Sequence, residues 1–108
     1  DYIHVSDLAD AHVAALKQLI AAPTESFTFN CGYGRGFSVL EVLDAVDRVT
    51  NMTIERRIEG RRAGDPAELV ADNSAILAAL DWQPKHADLD GIVRDALGWE
   101  RKLAEMGK

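Results

Sequence analysis

Cysteine is almost absent from this 108-residue chain, with Cys31 standing alone. One thiol cannot close an internal disulfide and gives no basis for a metal cage, so no metal ligand is assigned. Histidine is scarce too, and His4 and His12 are read as packing or hydrogen-bonding residues rather than as ligands. Long apolar runs are missing. None approaches the roughly 20 residues that cross a bilayer, and no basic-then-apolar leader opens the chain, so no membrane partner is expected. Positive charge is in deficit, with 12 Lys and Arg against 18 Asp and Glu, a balance that argues against a nucleic-acid surface. These features fit a cytoplasmic protein. Repeats and low-complexity linkers are also missing, and 108 residues make one domain or part of one. The start at Asp1, without methionine and inside an apparent strand, points to a fragment.

Against that deficit, four arginines crowd into seven positions: Arg56, Arg57, Arg61 and Arg62. Glu55 and Glu59 offset half of their charge. Gly60 and Gly64 bracket the second pair in Gly60-Arg61-Arg62-Ala63-Gly64-Asp65-Pro66, where glycine allows a tight turn and Pro66 pushes Asp65 towards extended backbone. A bent loop holding guanidinium groups beside a carboxylate suits a phosphorylated ligand with hydroxyls. Arginine grips phosphate with paired N–H bonds, and an aspartate can accept from a ribose diol. Spacing alone also fits a surface turn whose arginines pair with Glu55, Glu59 or Asp65, because exposed charge pairs are common and weak.

The rest of the chain predicts a small α/β domain of short strands and about four helices. Tyr2-Ile3-His4-Val5 reads as a strand, followed by a helix capped at Ser6-Asp7 and ended by Pro23. Phe27 to Asn30 is a second strand, leading into the turn Gly32-Tyr33-Gly34-Arg35-Gly36. That turn is spaced G-x-G-x-G rather than G-x-G-x-x-G, so it is read as a strand-to-helix connection and not as a dinucleotide site. Arg35 is a minor candidate for substrate contact. Ser38 and Glu41 form a capping box for a helix whose stop is Asn51. Thr53 to Ile58 reads as a third strand that delivers the arginine loop, and Leu69-Val70-Ala71 as a fourth. Asp72 caps a short helix over 75–80, Trp82 plugs the core, and Asp88 caps a final helix with Leu89, Ile92, Val93, Ala96, Leu97 and Leu103 inward.

Gly60 to Asp72 resembles the carboxy-terminal loop of the UDP-glucose 4-epimerases, within the extended short-chain dehydrogenase/reductase family. Asp1 to His12, Asn30 to Gly36 and Leu80 to Pro84 resemble other stretches of these enzymes in the expected order. The likeness runs across nearly the whole chain. It implies that residues 1–108 are the carboxy-terminal substrate-binding region of a UDP-glucose/UDP-galactose 4-epimerase, an isomerase whose NAD-binding Rossmann domain lies outside this chain. It further implies that Arg62 contacts the UDP diphosphate and Asp65 the ribose, with Arg61 a neighbour that supports the loop.

No catalytic residue is assigned, because the family's Y-x-x-x-K pair is missing: the positions four beyond Tyr2 and Tyr33 hold Ser6 and Phe37. The fragment alone is therefore expected to be inactive and to bind no cofactor. The implied partners are a UDP-sugar and the Rossmann domain, through which the parent could form a homodimer. Two other readings stay open: the same region of a related nucleotide-sugar epimerase or dehydratase, and a non-catalytic α/β interaction module.

Overall fold

A computed structural model describes residues 1–107. Four α-helices account for its regular structure: α1 (Val5–Ala21), α2 (Val39–Thr50), α3 (Ser74–Ala79) and α4 (Leu89–Glu105). The expected α/β class is overturned, for no strand forms among the described residues. A strand is stabilised by a ladder of backbone bonds to a neighbour. The segments expected as strands find other ties. The Ala71 N–H donates to the Asp1 carboxylate, and the Ile54 N–H donates to Asp47 Oδ1 at 2.9 Å. Side chains on helices and at loop ends hold these extended stretches, so alternating apolar residues arise here without a sheet.

The chain divides into two compact units. One comprises Asp1–Gly36 and Leu69–Ala87 and contains α1 and α3. Its core joins Ala11 of α1 to Ile76, Leu80 and Trp82, with Ile3, Phe29 and Cys31 packed against them. Trp82 is buried, and its indole N–H donates to the backbone carbonyl of Asp7 at 2.9 Å, so the large ring brings its polar edge in satisfied. α1 begins two residues earlier than the sequence suggests. Its N-cap is His4, whose Nδ1 accepts from the Ser6 N–H at 3.0 Å, rather than Ser6. The turn at 32–36 is fastened to the start of α3, where Asn73 Nδ2 donates to the Gly32 carbonyl at 2.9 Å. Gly34 has φ +70, and a Cβ there would sit 2.9 Å from Asn73 Oδ1, so glycine is required on two counts. Asp72 serves α3 from just outside the helix, its Oδ1 accepting from the backbone and hydroxyl of Ser74.

The other unit comprises Phe37–Glu68 and the stretch from Asp88 onward. Here α2 packs on α4 through Ala45, Leu89 and Val93, with Phe37, Val42, Val46 and Val49 around them. Ser38 Oγ accepts from the Glu41 N–H at 3.0 Å, and Asn51 ends the helix in a left-handed conformation with φ 55. Asp88 accepts from the Gly91 N–H at 3.2 Å to open α4. Arg48 grips Asp90 with two N–H groups, at 2.7 and 3.3 Å, tying the exposed edges of the two helices. Ala96, expected inward, is exposed.

Candidate functional site

The arginine cluster separates into two chemically different pairs. Arg56 turns back onto α2, donating to Asp44 at 3.0 Å and to Asp47 at 2.7 Å, so it is consumed as a clamp. Asp47 uses its other oxygen to hold the Ile54 N–H. Beyond Arg56 every residue from 57 to 69 is exposed. Arg57 and Glu59 form a loose pair at 3.7 Å.

Arg62 and Asp65 point towards each other. Arg62 Nε donates to Asp65 Oδ2 at 2.8 Å, while the Asp65 N–H donates to the Arg62 carbonyl at 3.3 Å. The turn is thus closed at backbone and side chain together. Gly64 makes it feasible with φ +84, in open space. The pair contributes little to folding, since the Arg62 side chain is 85% exposed and water screens the attraction. Its value is chemical. Binding through Nε leaves the two terminal nitrogens of the guanidinium as donors, and Asp65 keeps Oδ1 as an acceptor. Donors suited to phosphate therefore sit beside an acceptor suited to a hydroxyl. Arg61 is exposed in the same loop.

A second polar centre lies in the unit built from α1 and α3, and sequence reasoning missed it. Asp7 is fully buried. Its Oδ1 accepts from the Lys85 N–H at 2.8 Å, and its Oδ2 accepts from the Tyr33 hydroxyl at 2.6 Å and the His86 N–H at 2.9 Å. Burial alone would raise the pKa of this carboxyl, but those three donors, helped by the charge of the His86 ring, hold it below the ordinary 3.8. Tyr33 also accepts from the His4 N–H at 3.0 Å. Burial and then the Asp7 carboxylate push the Tyr33 hydroxyl up to about 12. Burial, with the same carboxylate adding to it, raises the Cys31 thiol, which keeps it protonated and a poor nucleophile. The rings of His4 and His86 stack with centroids 4.4 Å apart. Every hydrogen-bonding atom of Asp7 is spent on the chain itself, so this centre fixes structure. An acid in a helix's first turn gives no hint of partners 26 and 79 residues away.

The same unit carries a cavity of about 470 Å³ beside α1, lined by Asp10, Lys17, Gln18, Asp81, Gln83 and Lys85 among others. Its charges balance, and it is lined in part by Trp82 and its neighbours but by none of Arg61, Arg62 and Asp65.

Known proteins of one kind match nearly the whole of this chain. The chain is 52% identical over 105 residues to a UDP-glucose 4-epimerase from Azospirillum brasilense, covering 97% of this chain and 30% of that protein. It is 44% identical over 105 residues to the UDP-glucose 4-epimerase of Lacticaseibacillus casei, covering 97% and 31%. Along nearly its whole length the chain is similar to one segment of UDP-glucose 4-epimerases. Solved structures agree. The UDP-glucose 4-epimerase of Stenotrophomonas maltophila, with bound NAD and formylated UDP-arabinopyranose, superposes with a TM-score of 0.90 at 42% identity over 98% of this chain and 31% of its own. The UDP-Glc/GlcNAc 4-epimerase of Campylobacter jejuni gives 0.83 at 45% identity, over 94% and 30%. No family model matches. The chain spans about 30% of the length of these epimerases. Among the described residues no helix is long and apolar enough to cross a membrane.

Proposed function

We propose that this chain is the carboxy-terminal, nucleotide-anchoring region of a cytoplasmic UDP-glucose/UDP-galactose 4-epimerase, and that the Arg62–Asp65 turn is its UDP site. The observation that carries this reading is the Nε-paired arginine beside an aspartate with a spare oxygen, in a chain that matches epimerases along 97% of its length. The terminal N–H groups of Arg62 take the diphosphate, Asp65 takes a ribose hydroxyl, and Arg61 adds positive charge to the loop. Anchoring the nucleotide leaves the sugar end free to present either face, so binding energy far from the reacting carbon supports the reaction there.

Epimerase relatives carry NAD, and this chain's residues do not fit that group. The glycine-rich turn at 32–36 is closed against Asn73, and the N-terminus of α2 is capped by Ser38. On this reading the cofactor site and the catalytic groups belong to a Rossmann domain outside this segment.

A second reading differs only in the sugar. One structural relative is a UDP-Glc/GlcNAc 4-epimerase and another holds a UDP-pentose derivative, so the same anchor serves different hexoses or pentoses. The test joins this chain to the remaining part of a homologous epimerase and follows UDP-galactose conversion to UDP-glucose, with UDP-N-acetylgalactosamine as the competing substrate. Arg62→Ala is expected to raise KM by about 10- to 100-fold, the size of a lost hydrogen bond to a charged group, with a smaller fall in kcat. An unchanged KM removes Arg62 from the site.

A further inference from the structure

The Arg62–Asp65 turn is closed by its own two hydrogen bonds but has little packing around it, because residues 57–69 are exposed throughout. What holds the entry to this loop is a bifunctional carboxylate on α2. Asp47 accepts the Ile54 N–H on Oδ1 at 2.9 Å and the Arg56 guanidinium on Oδ2 at 2.7 Å. Asp44, one turn earlier on the same helix, accepts the other arm of Arg56 at 3.0 Å. Asp47 and Arg56 are mostly shielded from water, with side chains 25% and 28% exposed, so their charges are screened less than those of the loop pairs. One backbone N–H and one side chain are thereby fixed to a helix that also packs on α4.

We propose that Asp47 is a positioning residue for nucleotide binding: through Ile54 and Arg56 it sets where the chain enters the Arg62–Asp65 turn, and so how strongly that turn holds a nucleoside diphosphate. The proposal rests on the reading of that turn as the UDP site. The physical cause is ordering entropy. A ligand that needs a loop in one conformation binds more weakly when the loop must first be ordered. Arg56 is not a spare phosphate ligand in this arrangement, because both of its arms are engaged.

The test titrates UDP into the 108-residue chain, and into its Asp47→Ala, Asp47→Asn, Arg62→Ala and Asp47→Ala/Arg62→Ala variants. Backbone amide spectra report binding, and amide exchange in α2 and α4 reports folding. Asp47→Ala is expected to weaken UDP by about tenfold while exchange in the two helices is kept, the scale of ordering one or two extra side chains. Asn preserves an acceptor for Ile54 but not the ion pair, so Asp47→Asn should lose roughly half of that effect on a logarithmic scale. In the Arg62→Ala background, removal of Asp47 should have a clearly smaller effect, since only Asp65 and Arg61 remain to be positioned. Wild-type affinity in Asp47→Ala overturns the proposal and leaves the UDP site standing. So does an equal loss with and without Arg62, which would mark a general structural role. Failure of the unaltered chain to bind UDP overturns both readings together.

Discussion

The Tyr33 hydroxyl donates to Asp7 Oδ2 at 2.6 Å, joining the glycine-rich turn to the first turn of α1 across 26 residues of sequence. Its one proton is committed to the carboxylate, and its lone pairs accept the His4 N–H. Lys85 and His86 complete the centre from the opposite direction. Two separate loops are thus held to the start of α1 by one acid.

Removing that acid should be costly. Asp7→Ala leaves the Lys85 N–H, the His86 N–H and the Tyr33 O–H without their acceptor, and a buried donor left unpaired costs roughly 1–3 kcal/mol. A total loss of about 3–5 kcal/mol is expected in urea unfolding, enough to unfold many small domains. Asp7→Asn should recover little, because its amide N–H₂ would face one of these donors.

The pH dependence of folding follows from the same pair. Asp7 titrates below its ordinary 3.8 in the folded chain, so its contribution is complete above about pH 4 and is lost as pH falls through the folded value. Tyr33 behaves in the opposite sense. Its proton is held up to about 12, so its contribution is complete below about pH 10 and disappears between 10 and 12. Thermal unfolding across pH should decline at both ends, and Tyr33→Phe should flatten the alkaline limb. A wild-type alkaline limb in Tyr33→Phe would contradict this assignment.

Ala45 has no exposed surface where α2 meets α4, between Leu89 and Val93. Ala45→Leu inserts three carbons into filled space and should cost about 1–3 kcal/mol, or more if the helices separate. Ala45→Gly should cost roughly 1 kcal/mol through helix propensity alone. Chemical denaturation of the two variants distinguishes crowding from propensity.

How far the sequence could be read depended on how local each signal was. Ser38, Asp88 and Asn51 act on groups within three residues, so their capping roles were legible from spacing. Trp82 was legible from size. The strands were not, because Tyr2–Val5, Phe27–Asn30 and Thr53–Ile58 have the right residue types but no paired backbone, and pairing is the non-local half of a strand. Asp7 could be read only as an acid at the helix start, because its three donors come from distant loops. Of the arginines, spacing could not separate Arg56 from Arg62. Only the approach of α2 shows that Arg56 is an internal clamp while Arg62 stays in solvent with Asp65.

The most direct test is a titration of the isotope-labelled chain with UDP, followed by backbone amide shifts residue by residue. UDP binding at the arginine turn predicts saturable shifts centred on Gly60 to Asp65, needing about 10- to 100-fold more UDP in Arg62→Ala and also weakened by Asp65→Ala, with Tyr33 and Asp7 unmoved. Shifts that cluster elsewhere, such as along the cavity lined by Lys17 and Lys85, or that saturate at the same UDP concentration in Arg62→Ala, would contradict it.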